Sequence, residues 1–124
     1  EWCPLCVAFE ETAETLWQSL ITADERYDVG FVELLFDAGA SNTTADEADA
    51  LAWSNRFGNT FPVLHGENVR TYYDTISIPY FPAYWLVDPN GMVRSFGNTS
   101  ELSPAMVTGY FETFLSENPN WTQD

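Results

Sequence analysis

The stretch YDVGFVELLF, residues 27 to 36, constrains the fold more than any other part of this chain. It is dense in apolar, aromatic and β-branched residues and shows no polar alternation. That is the pattern of a strand covered on both faces. Such a strand belongs to a parallel or mixed sheet with helices on either side, so the expected class is α/β in three layers.

The flanking segments supply the helices. Cys3-Pro4 reads as a helix entrance, because proline is pre-organised for the first helical position and needs no amide partner there. Cys6, Phe9, Ala13, Leu16 and Leu20 then recur at helical spacing, with Glu10, Glu11, Glu14 and Gln18 mostly on other faces. This predicts a first helix over residues 4–21. After the strand, Thr44 and Glu47 stand at capping-box spacing for a second helix. Its inner face is expected to carry Ala48, Leu51, Ala52 and Asn55, and Gly58 should stop it.

Phe61-Pro62-Val63-Leu64 reads as a short extended segment, and residues 68–76 as one or two helical turns. A buried strand is expected at 83–87, a turn at Asp88-Pro89-Asn90-Gly91 and an antiparallel partner strand at 92–96. Ser103-Pro104 repeats the cap-plus-proline signal. Val107, Tyr110, Phe111, Phe114 and Leu115 then define one face of a last helix ending near Asn118-Pro119. Residues 1–124 thus read as a single domain, large enough to bury a core of its own.

Charge narrows the function classes. Nineteen acids stand against four arginines, with no lysine, for a formal net charge of -15. Such a surface repels phosphate backbones and anionic membranes, so neither nucleic acid nor membrane contact is expected. The 45% hydrophobic content exceeds that of a disordered acidic tail. Asn42-Thr43-Thr44 and Asn98-Thr99-Ser100 match the short glycosylation pattern, which also arises by chance.

Chemistry concentrates at the front, where EWCPLC holds both cysteines. Two thiols at this spacing suit a redox pair, half a metal site or a structural staple. A Cys3–Cys6 bridge would close a very small ring and restrain the unfolded chain little. At a helix start, however, the sulfur of Cys3 faces unpaired amide donors that favour a thiolate. Cys6, one turn inside, is placed to resolve a mixed disulfide on Cys3. Trp2 and Pro4 flank the first sulfur as an apolar rim.

These residues resemble the thioredoxin superfamily, in the style of its TlpA-like and AhpC/TSA-like thiol:disulfide oxidoreductases. WCPLC matches the family's WCxxC at Trp2, Cys3, Pro4, Leu5 and Cys6. Phe61 to Leu64 resembles the stretch after its second helix, and FPAYWLVDPNGMV, residues 81–93, its loop, strand, turn and strand. The resemblance implies that Pro82 is a cis-proline beside the cysteines, with Pro79 as its rival, and that Phe81 and Pro82 help hold a substrate peptide. It further implies an exported protein, periplasmic or extracellular, tethered if at all by an upstream segment. Its partners would be protein thiols or disulfides and a redox partner protein, with no cofactor.

Three departures stand beside the resemblance. TlpA-like chains often carry a glutamate three residues past the second cysteine. Here that place holds Phe9, and Glu10 reads as a solvated helix-face residue, with a proton-accepting role toward Cys6 as the alternative. The threonine required by peroxidases of the superfamily is not found at its spacing. The central strand that precedes WCxxC in this fold is also not found, so the domain reads as N-terminally incomplete.

Other chemistry is weaker. Cys3, Cys6 and His65 do not close a structural zinc site without a carboxylate or a second chain, so no metal is expected. Asp88, Asn90 and Gly91 lack the remaining ligands of a calcium loop. Serines near His65 form no triad by sequence. Tyr72, Tyr73, Tyr80, Phe81 and Trp85 form a candidate aromatic face, with Trp85 read as core. The expectation is thiol:disulfide exchange through Cys3 and Cys6, in a direction that the sequence does not fix. The alternative is a redox-inert peptide-binding module with a structural Cys3–Cys6 bridge.

Overall fold

A computed structural model describes residues 3–22, 29–40, 42–76 and 80–122. The chain folds as a mixed α/β domain. Its elements are α1 (Pro4–Thr22), β1 (Glu33–Leu34), α2 (Glu47–Phe57), β2 (Val63–Leu64), α3 (Glu67–Ile76), β3 (Ala83–Val87), β4 (Val93–Asn98), a 3-10 turn (Thr99–Glu101) and α4 (Pro104–Glu117).

The mixed sheet takes the form of two separate pairs. β1 and β2 run parallel, with Glu33 opposite Val63 and Leu34 opposite Leu64. β3 and β4 run antiparallel, with Tyr84 opposite Gly97 and Trp85 opposite Phe96. Among the described residues no strand joins the two pairs. The long strand expected over 27–36 is regular only at Glu33–Leu34. Residues 27 and 28 lie outside the described residues, and 29–32 are extended without a ladder.

Helix ends follow local chemistry, with one correction. Ser103 caps α4 by accepting from the Met106 amide, with Pro104 at the first helical position. Gly58 ends α2 in the left-handed region at φ 69, where a Cβ would be strained. The capping box of α2, however, is Asp46 with Asp49, not Thr44 with Glu47. Asp46 Oδ1 accepts from the Asp49 amide, and Asp49 Oδ2 accepts from the Asp46 amide, both at 3.0 Å. The later start accompanies a different inner face. Ala48, Leu51, Ala52 and Asn55 are exposed, while Ala50 is buried and Trp53, Ser54 and Phe57 are half-buried.

The core forms where α1 packs on α4 and α2, and α2 on β2. Ala13 and Leu20 of α1 are buried, as are Val107 and Phe114 of α4. Trp121 covers the end of α4, edge-on to Phe111 and Phe114. In the β3–β4 hairpin Tyr84 is buried and its hydroxyl lies 2.9 Å from Ser95 Oγ. Asp88 organises the turn before β4. Its carboxylate accepts from the amides of Asn90 and Met92 and from Arg94 Nε. Among the described residues no helix is long and apolar enough to cross a membrane.

Candidate functional site

Cys3 and Cys6 are bonded to one another, with Cα atoms 5.3 Å apart. Cys3 immediately precedes α1, so its carbonyl accepts the first helical bonds, from the amides of Cys6 and Val7. The Cys6 amide also lies 3.3 Å from Cys3 Sγ and donates to it. The sulfur therefore occupies the place of a capping side chain, facing the partial positive charge of the helix start. Pro4 and Leu5 between the cysteines are exposed, and both sulfur-bearing residues are half-buried. Trp2 lies outside the described residues, as does Pro79.

The Phe81–Pro82 peptide bond is cis. The Pro82 carbonyl accepts from the Thr99 amide at 3.2 Å, which ties this loop to the end of β4. Phe81 turns its ring inward. It packs against Phe36 and Tyr73, which are stacked with centroids 4.3 Å apart, at 5.0 and 5.4 Å respectively. Of the aromatic set, Tyr72 and Tyr80 are exposed and Trp85 is half-buried against Tyr72.

Cys3, Cys6, Phe81 and Pro82 line one cavity of about 980 Å³ that runs between the two sheets. Pro4 is not on its wall. Two acids are. Glu10, one turn beyond Cys6, is only 3% exposed, so the solvated reading of this residue is overturned. It was misread because the helical pattern gives its face but not which neighbours close over that face. Glu10 Oε2 accepts from Asn59 Nδ2 at 2.9 Å. Burial pushes its carboxyl above the usual range, opposed by hydrogen bonds from Asn59 and Glu33.

Glu33, in β1, is the partner. Its Oε1 accepts from the indole N–H of Trp53 at 2.9 Å. Its Oε2 is buried and, as an acceptor, has no partner. Burial first, and then the charge of Glu10, push the Glu33 carboxyl up to about 8, against the Trp53 bond. A proton on Glu33 resolves the orphan oxygen, since a carboxylic acid donates where a carboxylate only accepts. Glu33 is therefore the member of the pair that holds a proton at neutral pH.

Glu33, Asn59 and Trp53 were not among the residues singled out from the sequence. Glu33 carries a legible signal, as the one charged side chain within GFVELLF. Asn59 and Trp53 carry none, since their partners are remote in the chain. The other sequence candidates stay apart from this site. His65 is exposed, and among the described residues no cluster of three metal-ligating side chains occurs. Arg70 pairs with Asp37 and, at 2.9 Å, with Asn42 Oδ1, a bracing contact under the loop before α2.

No protein-family model matches the chain, and neither a curated protein nor a solved structure does.

Proposed function

We propose that this domain is a thioredoxin-like thiol:disulfide oxidoreductase in which Cys3 exchanges with protein substrates and Cys6 resolves the intermediate. The observation that carries the reading is the Cys3 sulfur seated at the start of α1, 3.3 Å from the donating Cys6 amide. That donor and the aligned peptide dipoles favour a thiolate on Cys3, which makes it both the better attacking group and the better leaving group. The order of helix, strand, helix, strand, helix, hairpin and helix supports the reading, as does the shared wall of the cysteines with Phe81 and Pro82.

In the oxidising direction a substrate thiolate attacks Cys3 Sγ, and the Cys3–Cys6 bond breaks. The electron pair leaves on Cys6 Sγ, which takes a proton, and a mixed disulfide joins substrate and Cys3. A second substrate thiolate then attacks its own mixed-disulfide sulfur, and Cys3 leaves as the thiolate. The reducing direction runs the same steps backward: Cys3 attacks a substrate disulfide, and Cys6 displaces the product. Partners are protein thiols or disulfides, with a redox protein to restore the pair, in a periplasmic or extracellular setting.

Two measurements test this. A redox titration against glutathione should place the pair between roughly -120 and -270 mV, the range of working exchange proteins. A value far below about -300 mV identifies a structural bridge and supports the redox-inert binding module instead. Cys6→Ala should accumulate a mixed disulfide on Cys3 when offered a reduced-and-denatured, partly reoxidised protein substrate. Failure to trap any adduct removes the exchange reading.

A further inference from the structure

We propose that the Cys3–Cys6 pair selects cationic exchange partners, proteins with lysine or arginine around the reacting cysteine; this rests on the exchange reading and adds the class of its substrate. The bridge stands at the start of α1, and α1 packs on α4. Neither helix holds a lysine, arginine or histidine, while together they carry Glu10, Glu11, Glu14, Glu112 and Glu117. The described arginines lie in other elements and are outnumbered where they stand. Arg70 pairs with both Asp37 and Asp74, and Arg94 with both Asp88 and Glu117. Arg56, at the end of α2, rests over the Phe57 ring at 4.9 Å. The chain has no lysine, so a formal charge of -15 sets the field in which the bridge sits.

The residues between the cysteines do not set this preference. Pro4 and Leu5 are exposed and uncharged, so charge acts on the partner at a distance, through encounter and local concentration. Its size follows from the net charge and the size of the domain. A compact chain of this length has an equivalent radius of about 18 Å. At about 0.1 M salt, with a Debye length of about 10 Å, that charge enriches a monovalent cation at the surface about eightfold and depletes a monovalent anion equally. At about 1 M the Debye length is about 3 Å, and the factor falls to about twofold. A singly cationic reactant is thus favoured over a singly anionic one by about sixtyfold at the lower salt and about fivefold at the higher. A protein surface that presents several cations to the domain gains further.

Two sets of probes test this. Methanethiosulfonates with a trimethylammonium, a hydroxyl or a sulfonate tail react with Cys3 as the sole thiol of the Cys6→Ser protein. The thiolate attacks the sulfenyl sulfur, a mixed disulfide forms and methanesulfinate leaves. Each rate is divided by that of mercaptoethanol with the same reagent. The thiolate fraction and the stability of the fold are common to the three reagents, so their ratios isolate the field. Reduced parent protein, read at Cys3 by peptide mass, gives the same ratios without a substitution. The second set is three peptides with one cysteine flanked by lysine, glutamine or glutamate, offered to the bridged parent. Each rate of bridge opening is divided by that of the same peptide with hydroxyethyl disulfide, which cancels the peptide's own thiol pKa. Both sets should rank cation, neutral, anion, with the extremes at least about tenfold apart at about 0.1 M salt and converging toward about 1 M. Equal rates overturn the proposal and leave the exchange reading standing. A ranking that salt does not weaken overturns it too, since it marks a direct contact. If the reagents are ranked but no peptide opens the bridge, the exchange reading fails and this partner with it.

Discussion

The indole of Trp53, in α2, donates to Glu33 Oε1, in β1, at 2.9 Å, and so holds an acid that also interacts with Glu10. A helix thereby orients a buried carboxyl in a strand, and the orientation brings two acids of distant sequence into one cavity with the cysteine pair. The cost of burying that charge is what the first prediction reads.

Glu33 is raised from 4.5 in the unfolded chain to about 8 in the fold, chiefly by burial. Folding therefore favours its protonated form. That contribution is fully present below about pH 4.5 and is lost as pH rises through about 8. The slope from one such proton reaches up to about 1.4 kcal/mol per pH unit between those limits. Glu33→Gln keeps an acceptor for Trp53 and removes the titration. Urea midpoints from pH 5 to pH 9 should fall for the parent and stay nearly level for the variant, which becomes the more stable protein at the alkaline end. Parallel curves would show that Glu33 is not protonated in the fold.

Phe114 is 2% exposed in α4 and sits edge-on to Trp121 at 5.4 Å. Phe114→Ala should cost about 3–5 kcal/mol, the transfer term plus the cavity left under Trp121. Urea unfolding followed by circular dichroism gives the loss, and the fluorescence of the folded variant should shift to the red as water reaches the indole. A cost below about 1 kcal/mol would mean that α4 is not packed as described.

Local signals read well from sequence, and relations across the chain did not. The strand at 83–87, the turn at Asp88, the Ser103-Pro104 start of α4 and the Gly58 stop all stand where residues near in sequence put them. The bonded pair at the entrance of α1 belongs to the same class. Glu10 was misassigned because its burial is decided by Asn59 and Glu33, which are remote in the chain. The inner face of α2 was misassigned because two overlapping polar caps compete. Asp46 wins over Thr44, and the residues two positions further on turn inward.

That competition is itself testable. Amides at the start of α2, led by that of Asp49, hold the Asp46 carboxyl below its usual range, with desolvation opposing. The stabilisation is present above the ordinary carboxylate pKa and is lost as pH falls through the lowered one. Asp46→Asn, still a good cap, should nearly preserve the thermal midpoint at pH 7 and lose its acid sensitivity, whereas Asp46→Ala should lower the midpoint outright. Thr44→Ala should have a smaller effect than Asp46→Ala. A larger one would restore the Thr44 cap.

The last prediction concerns the reduced cysteines. Two terms oppose at Cys6: the start of α1 favours a thiolate, and negative charge on the Glu10–Glu33 pair, with Glu10 one helical turn away, disfavours one. Removing both acids, Glu10→Gln with Glu33→Gln, leaves the helix start unopposed. The pH profile of iodoacetamide reaction at Cys6, measured in the reduced protein with Cys3→Ser, should then move to lower pH. Its Cys3 counterpart, measured with Cys6→Ser, should move less, because Cys3 stands a turn farther from Glu10 along α1. Equal shifts at the two sulfurs would point to a general loosening of the helix, and no shift at Cys6 would mean that the acid pair is neutral or too far away to act on it.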